Sequence, residues 1–277
     1  MSDRKYYSMR RGGLPEKPDL SMLCRLFYSM FDRLSKSGYF DEAFGYRDQS
    51  NDPVEGTLGP DIGAEMFRRL KKTDLYPIHR RYQFYSEDDL FDVIEFLYDC
   101  VSKHERGTTE HGMLYERFNA DAGRQEFRLE INDLLRDYGD GYELSEEGEI
   151  LSLGAEEMRP LLEQELPQYD PENVDSRVQS AVHRFRYHTA SAEDKREAVS
   201  QLANVLEFLR PKLKGVLPSK DEGDLFNIAN NFAIRHHNPA QKTQYDEGIW
   251  LDWIFYCYLN TIHVSVNLLK RAEENSQ

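Results

Sequence analysis

The sequence predicts a mainly α protein: a helical N-terminal domain with one small β-hairpin, followed by a C-terminal four-helix bundle. Three observations carry this. Apolar residues recur at three- and four-residue spacing through most of the chain, the pattern of helices that bury one face. Two capping boxes, Ser86 with Asp89 and Ser191 with Asp194, mark helix starts. Apolar residues flank a Glu146-Glu147-Gly148 turn in the one clear hairpin signal, residues 142–153. With 277 residues, 39% of them hydrophobic and 12% aromatic, the chain can fill two such cores.

Residues 1–17 carry Arg, Lys, Gly and Pro without periodicity and read as a flexible arm. A helix from near Asp19 to about Ser35 puts Leu20, Leu23, Phe27, Met30 and Leu34 on one face, and Gly38 follows it. Residues 44–63 are dense in Gly, Pro, Asp and Asn and read as a loop. A short helix, Ala64–Lys71, comes next, and Tyr76–Tyr85 reads as extended, aromatic and basic. Ser86 opens a helix through Leu90, Val93, Ile94, Leu97 and Val101; Gly123–Tyr138 gives another, with Phe127, Ile131, Leu134 and Leu135 on one side. The hairpin then pairs Tyr142–Leu144 with Ile150–Leu153. Helices plus a ribbon also suit a winged-helix DNA reader, but Glu143, Glu146, Glu147 and Glu149 on that ribbon repel phosphate. His79, His104 and His111 lie in separate polar contexts and read as surface or packing residues.

Pro160, Pro167 and Pro171 punctuate the chain, and residues 167–173 are the expected boundary between domains at 18–166 and 174–277. The first bundle helix carries Val174, Val178, Ala181, Val182 and Phe185. The second runs from Ser191 through Ala198, Leu202, Leu206 and Leu209 to Arg210, where Pro211 intervenes. A third begins near Asp221 with Leu225, Ile228, Ala229 and Phe232, and the fourth is Gly248–Arg271.

A formal charge of -15 excludes a surface that is basic all over, so any nucleic acid must be held by a local patch. Cys24, Cys100 and Cys257 are odd in number and far apart, with no CxxC spacing. They read as small buried apolar residues in a reducing compartment, without disulfide or structural zinc. Residues 1–13 lack the apolar run of a signal peptide. Ile249–Leu269 has the length to span a bilayer, but Asp252, Asn260, His263 and Asn267 make a buried bundle helix the better reading. The expectation is therefore a cytoplasmic protein with no membrane partner.

The third bundle helix has an unusual polar side. Asn227, Asn231, Arg235 and Asn238 share one face, with Asn230 and His237 beside them. Asn is a poor helix former, and a plain solvated face is more cheaply made of Glu and Lys. Pro239 ends the helix and leaves Arg235–Lys242 at its terminus and in the following turn. In the fourth helix Asp252, Tyr256, Asn260, His263 and Asn267 fall within about a quarter of the circumference. These stripes either satisfy one another as an inter-helix network, or the second of them faces solvent.

A catalytic use competes with both. Arg235 supplies a phosphate anchor, and His236 and His237 titrate near neutral pH. Metal-free RNA cleavage needs a base for the 2'-hydroxyl proton, an acid for the leaving oxygen and a cation for the phosphorane. Asn231, Asn238, Gln241 and Lys242 are placed to orient the substrate backbone. Metal binding by His236 and His237 lacks a His-x3-His pair and any carboxylate before Asp246, so no metal or cofactor is expected. Arg177, Arg184, Arg186, His188, Lys212 and Lys214 are available to line a groove for RNA, or to serve as ordinary solvated charges.

The block Lys220–Thr243, followed by Ile249–Tyr256, resembles uncharacterised bacterial proteins related to the AbiJ abortive-infection group, whose C-terminal parts are similar to HEPN domains. Glu130–Gly139, Gly141–Leu144 and Gly148–Ile150 carry a weaker likeness to the same group. The resemblance implies a HEPN-like bundle that dimerises, bringing two polar motifs into one metal-independent endoribonuclease site for phage defence or stress response. The family pattern is an arginine, a polar residue, then a histidine after a gap of four to six residues. Arg235-His236 meets its first part; positions 240–242 are Ala, Gln and Lys, and the histidine stands at 237. Arg177 and His183 have the right gap but point roughly 120° apart on one helix. The alternative class is a non-catalytic HEPN-derived module that binds a partner, a nucleotide or RNA.

Overall fold

Local caps mark where the helices after Asp19, Asp61, Ser86, Asn119 and Ser191 begin. Asp19 accepts the Met22 N–H at 2.7 Å, Asn119 accepts that of Ala122 at 3.1 Å, and Ser86 and Asp89 cap one another's backbones. The computed structural model describes residues 7–12, 16–48, 50–108, 114–154, 158–164, 166–214, 216 and 247–275. These fall into two units, Met1–Leu151 and Ser152–Gln277.

The first unit runs α1 (Tyr7–Arg10), α2 (Leu20–Lys36), α3 (Asp41–Phe44), β1 (Tyr46–Arg47), β2 (Pro53–Val54), α4 (Ile62–Leu70) and α5 (Ile78–Arg81). A 3-10 turn, Tyr82–Phe84, leads into α6 (Glu87–Cys100), β3 (Lys103–Thr108), β4 (Leu114–Asn119), α7 (Ala120–Leu135), β5 (Tyr142–Leu144) and β6 (Ile150–Ser152). Strands pair only as antiparallel hairpins, β1–β2, β3–β4 and β5–β6, so the described residues are mostly helical. Phe27, Phe40, Phe91 and Phe127 centre the core, with Phe40 and Phe127 edge to face at 6.3 Å. Burial pushes the Cys24 thiol up to about 11 and that of Cys100 up to about 12, as expected of cysteines used as apolar filler.

Several segments depart from the sequence reading: α1 lies within the stretch read as an arm, and β1–β2 within that read as a loop. Tyr76–Tyr85 is not extended; it coils through α5 and the 3-10 turn. Tertiary contacts hold it so: Ile78 is buried, Tyr82 stacks on Tyr28 at 4.3 Å, and the buried Tyr85 hydroxyl donates to the Leu75 carbonyl at 2.5 Å. The sequence reading has no strands where β3–β4 forms; its register sets Glu105 opposite Arg117, whose guanidinium donates to that carboxylate at 2.6 Å.

The second unit contains α8 (Arg159–Glu163), a π turn at Pro171–Asp175, α9 (Ser176–Arg186), α10 (Ala192–Leu213) and α11 (Glu247–Glu274). Helix α10 packs against both α9 and α11 around Ala198, Leu202, Leu206, Phe255, Tyr258 and Ile262. Pro211 does not end α10, which continues to Leu213. Only the last turn loses a hydrogen bond there, and fully buried Leu213 repays it by packing. The helix expected from near Asp221 lies outside the described residues, so α9, α10 and α11 are the three long bundle helices described. None of the described helices is long and apolar enough to cross a membrane.

Candidate functional site

Asn231, Arg235, His236, His237, Asn238, Gln241 and Lys242 lie outside the described residues; α10 and α11, which flank them in the chain, are described. Among the described residues the polar stripe of α11 divides between different surroundings. Asp252 turns to α10, where Lys195 donates to it at 2.7 Å, and the same ammonium lies 5.1 Å from the centre of the Phe185 ring. Tyr256 is buried edge-on to Phe185 at 5.8 Å. Asn260 and Asn267 are exposed, and the Asn267 amide donates back to the His263 carbonyl at 2.9 Å. His263 itself is 3% exposed, and its Nδ1 has no hydrogen-bond partner among the described residues. The apolar residues of α11 are also less covered than the sequence suggests, with Trp253 44% and Val264 52% exposed.

Burial lowers the pKa of His263, because removing the ring from water penalises the imidazolium. The unfolded chain therefore binds more protons at this residue than the folded one. The stability it supports is present above the unfolded value of about 6.5 and is lost as pH falls below it, down to the folded pKa. Thermal melts should show a midpoint that declines as pH falls below about 6.5, with the decline smaller in His263→Leu. Parallel curves for the two proteins would exclude a desolvated imidazole.

The basic residues that sequence offered as a groove have mostly internal tasks. Arg184 sits 3.9 Å from both Asp194 and Glu197, and Arg186 donates to the Ser152 carbonyl at 2.9 Å. Lys212 belongs to α10 and lies over the rings of Tyr169 and Phe208 at 4.7 and 5.0 Å. Lys214 caps α10, and His188 is half-buried. Arg177 alone of the six lines an open cleft of about 320 Å³, with Ser176, Ser180, Gln201 and Asn204.

The first unit holds a cluster that no local spacing announces. His104, 3% exposed, faces Asp41 through Nδ1 at 2.9 Å and Glu116 through Nε2 at 2.5 Å. Its ring packs on Phe118 at 4.4 Å and meets the edge of Tyr46 at 5.1 Å. Carboxylates on opposite ring nitrogens cannot chelate one ion, so the trio works as a polar strut between α3 and the β3–β4 hairpin. Beside it the Lys103 ammonium and then the Tyr39 hydroxyl reach Glu126 and hold its carboxyl below the usual range. In the sequence His104 stands isolated because its partners, Asp41 and Glu116, are distant in the chain. The signal that is present is the repeated Glu-Arg dipeptide, Glu105-Arg106 and Glu116-Arg117, whose antiparallel register brings Arg117 onto Glu105 at 2.6 Å.

Comparison of the chain with protein-family models, with curated proteins and with solved structures gives no match.

Proposed function

We propose that the protein is a HEPN-like, metal-independent endoribonuclease of bacterial phage defence or stress response, acting in the cytoplasm as a homodimer through its C-terminal bundle. One observation carries the reading: an Asn-rich polar series ends in Arg235-His236-His237-Asn238-Pro239, in the stretch that joins two long helices, α10 and α11, of a helical unit. Arg235 binds the scissile phosphate, and His236 and His237 serve as base and acid. Asn231, Asn238, Gln241 and Lys242 position the RNA backbone.

Purified full-length protein is incubated with RNA with and without EDTA, beside Arg235→Ala. Cleavage is expected to survive EDTA and to fall at least about a hundredfold in the variant, about 2.7 kcal/mol of transition-state stabilisation. Equal cleavage by the variant, or none in any condition, removes the enzyme. The position of the histidine at 237 favours a second reading, a non-catalytic HEPN-derived module that binds a partner, a nucleotide or RNA. There His237→Ala lowers stability by several kcal/mol, as loss of a buried polar network does, and no RNA is cut.

A further inference from the structure

Leu75–Ser86 has no acidic residue, in a chain of net charge -15, yet it carries His79, Arg80, Arg81 and the aromatics Tyr76, Tyr82, Phe84 and Tyr85. The fold turns this stretch into α5 and the 3-10 turn, and one-turn spacing places Arg80, Gln83 and Phe84 on the same side. Phe84 is 78% exposed, more than any other large hydrophobic side chain among the described residues. Two residues earlier in the turn, the half-buried Tyr82 lies flat against Tyr28 of α2, the planes only 7° apart. Arg25, one turn before Tyr28, is exposed, as are His79 and Arg80.

The acids nearby are mostly occupied. Asp74 holds Arg81 at 2.6 Å, Glu87 takes the Tyr138 hydroxyl at 2.6 Å, and Asp89 lies 3.2 Å from Lys72. Asp88 is the remaining acid between residues 74 and 89. Arg80, one turn before the exposed Phe84 ring, and Arg25, one turn before the stacked Tyr28, have no ion pair among the described residues. An apolar protein partner would use the rings and leave two guanidinium groups to be desolvated without a counter-charge. A single strand of nucleic acid uses both, phosphates on the guanidinium groups and bases on the rings. A duplex hides its base faces in its own stack and uses only the charge.

We propose that the surface formed by Arg25, Tyr28, Arg80, Tyr82 and Phe84 binds single-stranded nucleic acid. It rests on the ribonuclease reading only in the choice of RNA over DNA, and it sits in the other unit of the chain.

The test is fluorescence anisotropy with the full chain carrying Arg235→Ala, so that cleavage cannot consume the probe. The probe is a fluorescein-labelled single-stranded oligouridylate of about 20 nucleotides, with an RNA duplex of the same length as competitor. Phe84→Ala and Arg80→Ala should each weaken binding about tenfold, while Phe84→Trp retains it. Arg80→Ala should also flatten the dependence of log affinity on log salt by about 0.7. Thermal midpoints should be unchanged, because both side chains are exposed. Absence of binding, alanine variants that bind as tightly as the parent chain, or equal competition by the duplex overturns the proposal. Binding that persists when the unsubstituted chain proves unable to cut RNA removes the nuclease and leaves this surface standing.

Discussion

Phe255→Ala is expected to destabilise the second unit by about 3–5 kcal/mol, the range for removing a fully buried phenyl ring. Phe255 on α11 is completely buried and lies parallel to Phe185 of α9, ring centres 3.7 Å apart and planes 5° apart. The stack joins two helices that both pack on α10, and Phe185 also supports the Lys195 ammonium that reaches Asp252. Truncation leaves a cavity whose walls are held by three helices, so collapse is limited. Both tryptophans of the chain, Trp250 and Trp253, are on α11, which makes their fluorescence a reporter for this unit. Urea unfolding followed at that signal should show the loss, and hydrogen exchange should accelerate in α9, α10 and α11 but not in α6 or α7, which belong to a separate core. A change below about 1 kcal/mol would mean that the two rings do not share one core.

The second large effect is expected at Gly148, in the turn of the β5–β6 hairpin. Its φ of +89° is reached at little cost only by glycine, and an added Cβ would lie 2.4 Å from Cδ1 of Tyr98. That ring has little room to yield, because the Tyr98 hydroxyl donates to the Glu146 carbonyl at 2.6 Å. Gly148→Ala should cost about 1–2 kcal/mol for the left-handed backbone. Overpacking against the ring adds about 1–3 kcal/mol. Gly139→Ala isolates the first contribution, since at φ +57° its Cβ meets only Tyr142, at an ordinary 3.5 Å. Denaturation monitored by circular dichroism should rank Gly148→Ala well below Gly139→Ala; equal losses would refute the ring contact.

Gly148 illustrates a feature that was readable in the sequence, as a turn between two apolar runs, while the reason only glycine fits there came from Tyr98, fifty residues earlier in the chain. The capping boxes behave similarly. Ser86 with Asp89 and Ser191 with Asp194 cap their helices as the sequence predicts, because every atom involved lies within one turn. The candidate site was legible as a set of residue types, Asn231 to Lys242, whose chemistry follows from their side chains and order alone. On α11 the register of Asp252, Tyr256, Asn260, His263 and Asn267 was also plain. Their division into an ion pair, a buried ring, a buried imidazole and two solvated amides was not, since it depends on what α9 and α10 place opposite each position.

The sequence alone determined the helical class of the protein, the helix starts after Asp19, Ser86 and Ser191, and the 142–153 hairpin. Each rests on interactions within a few residues, so composition and spacing record it. Tertiary structure decided that Tyr76–Tyr85 coils, that two polar runs pair as β3–β4, and that His104 sits between Asp41 and Glu116. Those outcomes come from contacts such as Tyr28 on Tyr82, between groups remote along the chain and near only after the core has closed.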